Sequence, residues 1–119
     1  MRKGRTMILS VLKLTAIKEK RQAALEILRT VNSRTRGKMG CVECAIYERQ
    51  GDDGGAILYL EKWSSMEDLY RHIKSDSYIL VLTAMEFSSQ EPEIYFYEIP
   101  ETGGLELIKG LRSRDKANE

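Results

Sequence analysis

The residues best equipped for chemistry crowd into one stretch, Leu60 to Ile73, "LEKWSSMEDLYRHI". It holds the only tryptophan, Trp63, and the only histidine, His72. An imidazole titrates near neutral pH and can serve as a general base. An indole offers a flat apolar wall with one hydrogen-bond donor. Tyr59 and Glu61 come just before Trp63, and on a strand residues two apart share a face. Ile57, Tyr59, Glu61 and Trp63 therefore point one way, and Ala56, Leu58 and Leu60 the other. Buried Tyr and Trp need hydrogen-bond partners, and a buried Glu is costly unless paired. Such a face suits a pocket better than a dry core, unless Glu61 lies at a rim beside a Lys or Arg.

His72 is less determined. A helix beginning after Trp63 places Met66, Leu69, Tyr70 and Ile73 in one apolar stripe, and His72 lies roughly 110° from its centre. The histidine is expected to flank the stripe, facing either the gap between helix and sheet or the solvent.

Cys41 and Cys44 form a lone C-x-x-C in "MGCVEC". No second cysteine pair or nearby histidine completes a ligand set. Within a strand, residues three apart face opposite ways. Two reduced, mostly buried thiols are expected, and no metal site. Glycine-rich phosphate loops, zinc-protease helices and nucleophile elbows are missing from the sequence. A single histidine excludes a multi-histidine metal centre, and the scattered carboxylates single out no acid–base pair.

The elements that must carry these residues follow from periodicity. Met7 to Thr15 reads as a strand. Lys18 to Arg36 reads as an amphipathic helix with Ala24, Leu28, Val31 and Thr35 on its inner face, stopped by Gly37. Cys41–Gln50 and Ala56–Trp63 read as a hairpin joined by "GDDGG" at 51–55. Ser64 or Ser65 caps the next helix, and Glu67 and Asp68 suit its first turn. "KSDS" at 74–77 interrupts it, and Asp76 or Ser77 can cap a second piece, Tyr78 to Phe87. "YILVL" there is equally compatible with a buried strand, but the caps and "TAMEF" favour helix. Glu93 to Ile99 is a last strand between Pro92 and Pro100. After Gly103-Gly104, "LELIKGLR" is a short amphipathic element, either a small addition or an arm onto a partner chain, and "RSRDKANE" reads as a frayed end.

Strand–helix–strand–strand–helix–strand is the order of an α+β, ferredoxin-like βαββαβ fold, a four-stranded antiparallel sheet with helices on one face. The domain spans 7–100, with a tail at 1–6 and an extension at 101–119. At 119 residues the chain can build one core without staples. The second sheet face is also apolar and needs a cover, which predicts a homodimer packed sheet to sheet. Nineteen basic and 18 acidic residues leave a net charge of +1, so no single-sign field draws the protein to nucleic acid or to a membrane surface. The strands lack the basic and aromatic signature of RNA-binding modules. No apolar run approaches a membrane span, and "MRKGRTMILSVLKL" lacks the cleavage site of a signal peptide, which predicts a cytoplasmic protein.

Gly40-Cys41 entering the second strand, Glu61-Lys62-Trp63 closing the third, and His72-Ile73-Lys74-Ser75 in a broken helix together resemble the antibiotic biosynthesis monooxygenase superfamily, the dimeric α/β-barrel proteins. The resemblance covers about 7–99. It implies the fold reached above, a sheet-to-sheet dimer and a pocket between sheet and helices. Family members include cofactor-free oxygenases of quinols and polycyclic phenols and haem-degrading enzymes. Leu82 stands about where the haem-degrading branch has a histidine, and Ser10 or Val11 where it has an asparagine, which argues against haem. Tyr59 and Leu69 stand where the polyketide oxygenases have Asn and Tyr, with Tyr70 next door, so that set is not intact. Quinol-oxidising members are the nearest in pattern. The resemblance implies a cofactor-independent monooxygenase acting on a hydroquinone-like or phenolic aromatic. His72 would be the base, Trp63 the stacking wall, Tyr59 and Glu61 the orienting groups, and Tyr78 a further contact. The alternative is a non-catalytic dimer that binds a small molecule.

Overall fold

The computed structural model describes residues 6–50, 55–100 and 103–117. The tail before Thr6 and most of the 51–55 turn lie outside the described residues. β1 spans Thr6–Leu14, and a 3-10 turn at Lys18–Lys20 leads into α1, Arg21–Thr35. β2 (Cys41–Glu48) and β3 (Ile57–Trp63) follow, then α2 (Met66–Ile73), α3 (Tyr78–Glu86), β4 (Glu93–Pro100) and α4 (Leu105–Ala117). The ambiguous "YILVL" is helical, and it buries Tyr78, Val81 and Ala84 at three-residue spacing.

The strands form one antiparallel sheet in the order β2-β3-β1-β4. This is the ferredoxin-like α+β arrangement, and the sheet of one chain is not closed into a barrel. Period-2 alternation sorts each strand. In β1, Ile8, Ser10, Leu12 and Leu14 are buried beneath the helices, while Met7, Leu9 and Val11 are half-buried on the opposite face. In β3, Ile57, Tyr59, Glu61 and Trp63 occupy the helix-covered face, as alternation predicts. Ala24, Leu25, Leu28 and Val31 of α1 and Val81 and Ala84 of α3 form the main core with Leu12, Leu14, Ile57 and Tyr59. A smaller cluster of Ile8, Trp63 and Leu69 lies under α2. The uncovered face carries Leu58, Leu60, Tyr47, Tyr95 and Tyr97, and the last three are about half exposed.

Four expectations are corrected. The register of β2 slips between Cys41 and Glu43, so Cys41 lies opposite Trp63 and Cys44 opposite Glu61. Val42 is the extra residue of this bulge, and it brings both cysteines to the helix-covered face. α2 is rotated relative to the expected stripe. Leu69 and His72 are its buried residues, and Tyr70 is 53% exposed. Ser77 precedes α3 in a helical backbone conformation, φ −66° and ψ −21°, and makes no side-chain capping bond; its hydroxyl accepts from Lys38 instead. α4 runs on from "LELIKGLR" to Ala117, longer than the short element expected, and Leu105, Leu107, Ile108 and Leu111 of that helix are exposed.

Candidate functional site

The site is assembled where the end of β3 meets the start of α2. Gly40 enters β2 at φ +85°, a conformation glycine adopts freely and other residues rarely do. A β-carbon there would also overlap the Asp68 carboxylate. Gly40 thus lets the β2 entry pack against the first turn of α2, and its carbonyl accepts from Ser64 N–H at 2.8 Å. Ser65 caps α2, accepting from Asp68 N–H at 3.2 Å and donating to Asp68 Oδ2 at 2.9 Å. Ser64 donates to the same oxygen, and Arg71 donates to Oδ1. Hydrogen bonds from Ser64, Ser65 and Arg71 hold the Asp68 carboxyl below its ordinary pKa.

Glu61 is 1% exposed, and both its oxygens are engaged. Trp63 Nε1–H donates to Oε1 at 3.0 Å, and His72 Nε2 lies 2.9 Å from Oε2. On the other side of the ring, Lys38 Nζ lies 3.0 Å from His72 Nδ1. An ammonium can only donate, so Nδ1 is the acceptor and Nε2 carries the proton given to Glu61. The ring of His72 thus bridges the Lys38 ammonium and the Glu61 carboxylate. Lys38 also donates to Ser75 Oγ at 3.0 Å and Ser77 Oγ at 2.7 Å, fastening the β2 entry to the break between α2 and α3. The ring of His72 packs against Trp63, with centroids 4.8 Å apart, and against the edge of Tyr78 at 5.3 Å.

Trp63, His72 and Lys38 line one cavity of about 270 Å³, open on one side, together with Met39, Asp68, Arg71 and Ser75. Of the residues singled out from the sequence, Trp63 and His72 reach this cavity. Glu61 lies behind them and joins them through its two oxygens. Tyr78 packs on the His72 ring and is not among the residues that line the cavity. Tyr59 belongs to the main core, where its hydroxyl accepts from the Cys44 thiol at 3.2 Å. Burial, then the Glu61 charge, pushes the Tyr59 hydroxyl far above its ordinary pKa. Burial pushes Cys44 up to about 12, against a partial lowering by Tyr59, and Tyr78 up to about 12 with help from the Glu61 charge. Cys41 is also raised, chiefly by burial. Both cysteines are free thiols, and shifts in this direction keep them protonated and slow to react. Among the described residues no three His, Cys, Asp or Glu side chains gather as metal ligands.

Lys38 is the residue that sequence reasoning missed. It follows α1 by three positions, and its partners are 34 to 39 residues away. No local periodicity marks such a contact.

No curated protein matches the sequence. Solved structures share its fold. A conserved protein from Methanosarcina mazei Go1 is 25% identical, with a TM-score of 0.69, over 76% of this chain and 90% of its own. A Deinococcus radiodurans protein described as a candidate antibiotic biosynthesis monooxygenase is 20% identical, with a TM-score of 0.73, over 82% and 97%. A Mycobacterium tuberculosis protein is 19% identical, with a TM-score of 0.72, over 82% and 99%. The family model for antibiotic biosynthesis monooxygenase matches residues 7–79, which takes in β1, both strands of the hairpin, α2 and the whole Lys38–His72–Glu61–Trp63 chain. On that match, the chain belongs to the antibiotic biosynthesis monooxygenase family.

Proposed function

We propose that this protein is a cofactor-independent monooxygenase acting on a hydroquinone-like or phenolic aromatic. The observation that carries the reading is the pairing of Trp63 and His72 on one cavity, with the imidazole backed by the buried Glu61 carboxylate. A hydroquinone plus dioxygen gives a hydroxyquinone plus water. One oxygen atom enters the ring, the other leaves as water, and the substrate supplies all four electrons. The protein's tasks are to orient the ring, take a proton and limit water. Trp63 is the wall on which the ring stacks. His72 takes the proton at Nδ1 once Lys38, which donates to that nitrogen at 3.0 Å, turns to the incoming ligand oxygen, and the charged ring then lies against Glu61. Glu61 and Tyr78 hold the imidazole, and Tyr59 lies in the main core, bonded to Cys44.

Purified protein without added metal or flavin is expected to accelerate oxygen uptake with reduced naphthoquinones, and His72→Ala to lose about 10²-fold or more of the rate, the scale of general-base catalysis. Full activity in that variant would remove His72 from the mechanism, and only spontaneous oxidation across several quinols would remove the oxygenase reading.

One observation favours a second reading, a non-catalytic ligand-binding dimer. Both nitrogens of His72 already have protein partners, and a satisfied buried network stabilises a fold whether or not it does chemistry. Thermal stabilisation by quinones without turnover would select this reading.

The same proposal includes a homodimer through the open sheet face. Leu58, Leu60, Tyr47, Tyr95 and Tyr97 form an apolar surface of the kind that marks an interface, and α4 is assigned to the partner subunit because its leucines are exposed. Sedimentation is expected to return the mass of two chains, and removal of residues 104–119 to weaken the dimer. A monomer at micromolar concentration would refute the pairing.

A further inference from the structure

The two cations lining the cavity differ. Arg71 is paired with Asp68 at 2.8 Å, which accounts for its charge. Lys38, among the described residues, forms no ion pair with a carboxylate. Its three contacts are neutral acceptors: His72 Nδ1, Ser75 Oγ and Ser77 Oγ. Glu61 lies behind the imidazole, with both oxygens occupied by Trp63 and His72. The cavity wall therefore presents one ammonium without a contacting counter-charge, beside a flat indole. Neutral acceptors orient an ammonium but do not cancel its field, and a partly desolvated cation attracts an anion more strongly than one in bulk water.

His72 cannot supply the same contact. Its Nε2–H is spent on Glu61, and Nδ1 has no proton to give while Lys38 donates to it. A ligand oxygen that enters the cavity can take a hydrogen bond from Lys38 by replacing Ser75, which also lines the cavity and already donates to the His72 carbonyl at 2.6 Å.

We infer that Lys38 holds an ionised oxygen of the ligand, a contact the His72 ring cannot make, and that the cavity selects flat apolar molecules bearing one ionised oxygen. This deepens the oxygenase reading and rests on the same cavity, but its test is binding and requires no turnover. The probes are 2-hydroxy-1,4-naphthoquinone, anionic at neutral pH, and its uncharged methyl ether, 2-methoxy-1,4-naphthoquinone. Isothermal titration of the full chain at pH 7 is expected to show the anion binding at least about ten-fold tighter, the effect of one desolvated charge contact. Lys38→Gln, which keeps hydrogen-bond donors without charge, is expected to erase the preference, while Lys38→Arg keeps part of it and Arg71→Gln keeps most. Circular dichroism checks that each variant is folded. No preference in the unaltered protein overturns the inference, whatever the variants do, and so does a preference that survives Lys38→Gln or is lost only in Arg71→Gln. A Lys38-dependent preference without oxygen uptake leaves this inference standing and removes the oxygenase. Oxygen uptake without any preference does the reverse.

Discussion

Glu61→Ala is expected to lower the unfolding free energy by about 2–5 kcal/mol, measured by urea denaturation, because it strips the acceptor from two buried donors. Removing the carboxylate leaves Trp63 Nε1–H and His72 Nε2–H without acceptors in a place where both residues are at most 2% exposed. It also removes the anion that sits across the imidazole from Lys38. Glu61→Gln tests the hydrogen logic separately. Its amide oxygen can serve Trp63 or His72, but the amide N–H₂ then faces a ring N–H. Relief by switching the histidine tautomer would place Nδ1–H against the Lys38 ammonium. The glutamine variant should therefore lose about 1–3 kcal/mol, as for an unsatisfied buried donor. A double variant, Glu61→Leu with His72→Phe, should recover part of the alanine loss, since apolar replacements of a buried pair are often well tolerated. A change below about 1 kcal/mol in Glu61→Ala would mean the network is ornamental to the fold.

The second large effect is at alkaline pH. Tyr59, Tyr78 and Cys44 all have pKa values raised in the folded chain, in each case first by burial. Each is neutral when protonated, so the folded state holds protons that the unfolded chain releases. Between the unfolded values, 9.0 for Cys44 and 10.0 for the tyrosines, and the folded values of about 12 for Cys44 and Tyr78, the unfolded state binds fewer protons. Stability is then full below pH 9 and falls as pH rises toward 12. Melting temperature is expected to decline steeply over that range, and Tyr59→Phe to have a shallower decline than the unaltered chain. Parallel alkaline limbs in the two proteins would show that Tyr59 ionises as readily in the fold as outside it. The Glu61 charge contributes to all three shifts, so the alkaline limb and the carboxylate network report on one electrostatic neighbourhood.

The strand faces were legible because their cause is local. Alternation alone placed Tyr59, Glu61 and Trp63 under the helices, and the demand of a buried carboxylate for partners pointed to a polar cluster there. Ser65 and the break after Ile73 were similarly readable, since caps and turns act over a few residues. The rotation of α2 was not. Hydropathy favours Tyr70 inward, but in the structure the imidazole is buried against Glu61, 11 residues away, and Tyr70 is exposed. Propensity carries no information about such a contact. The bulge at Val42 is a second case. Strict alternation sends Cys41 and Cys44 to opposite faces, and nothing in "GCVEC" announces the extra residue that brings them together. Lys38 is a third, because a lysine in a loop is ordinary until the loop is folded back on the α2–α3 break.

The adjacency of Trp63 and His72 has an optical consequence. All of the chain's indole emission comes from a single ring, 1% exposed, bonded to a carboxylate and 4.8 Å from an imidazole. Its fluorescence is shielded from water. Occupancy of the cavity is therefore written into one unlabelled spectrum, so the molecule carries its own reporter at the place where its chemistry is in question.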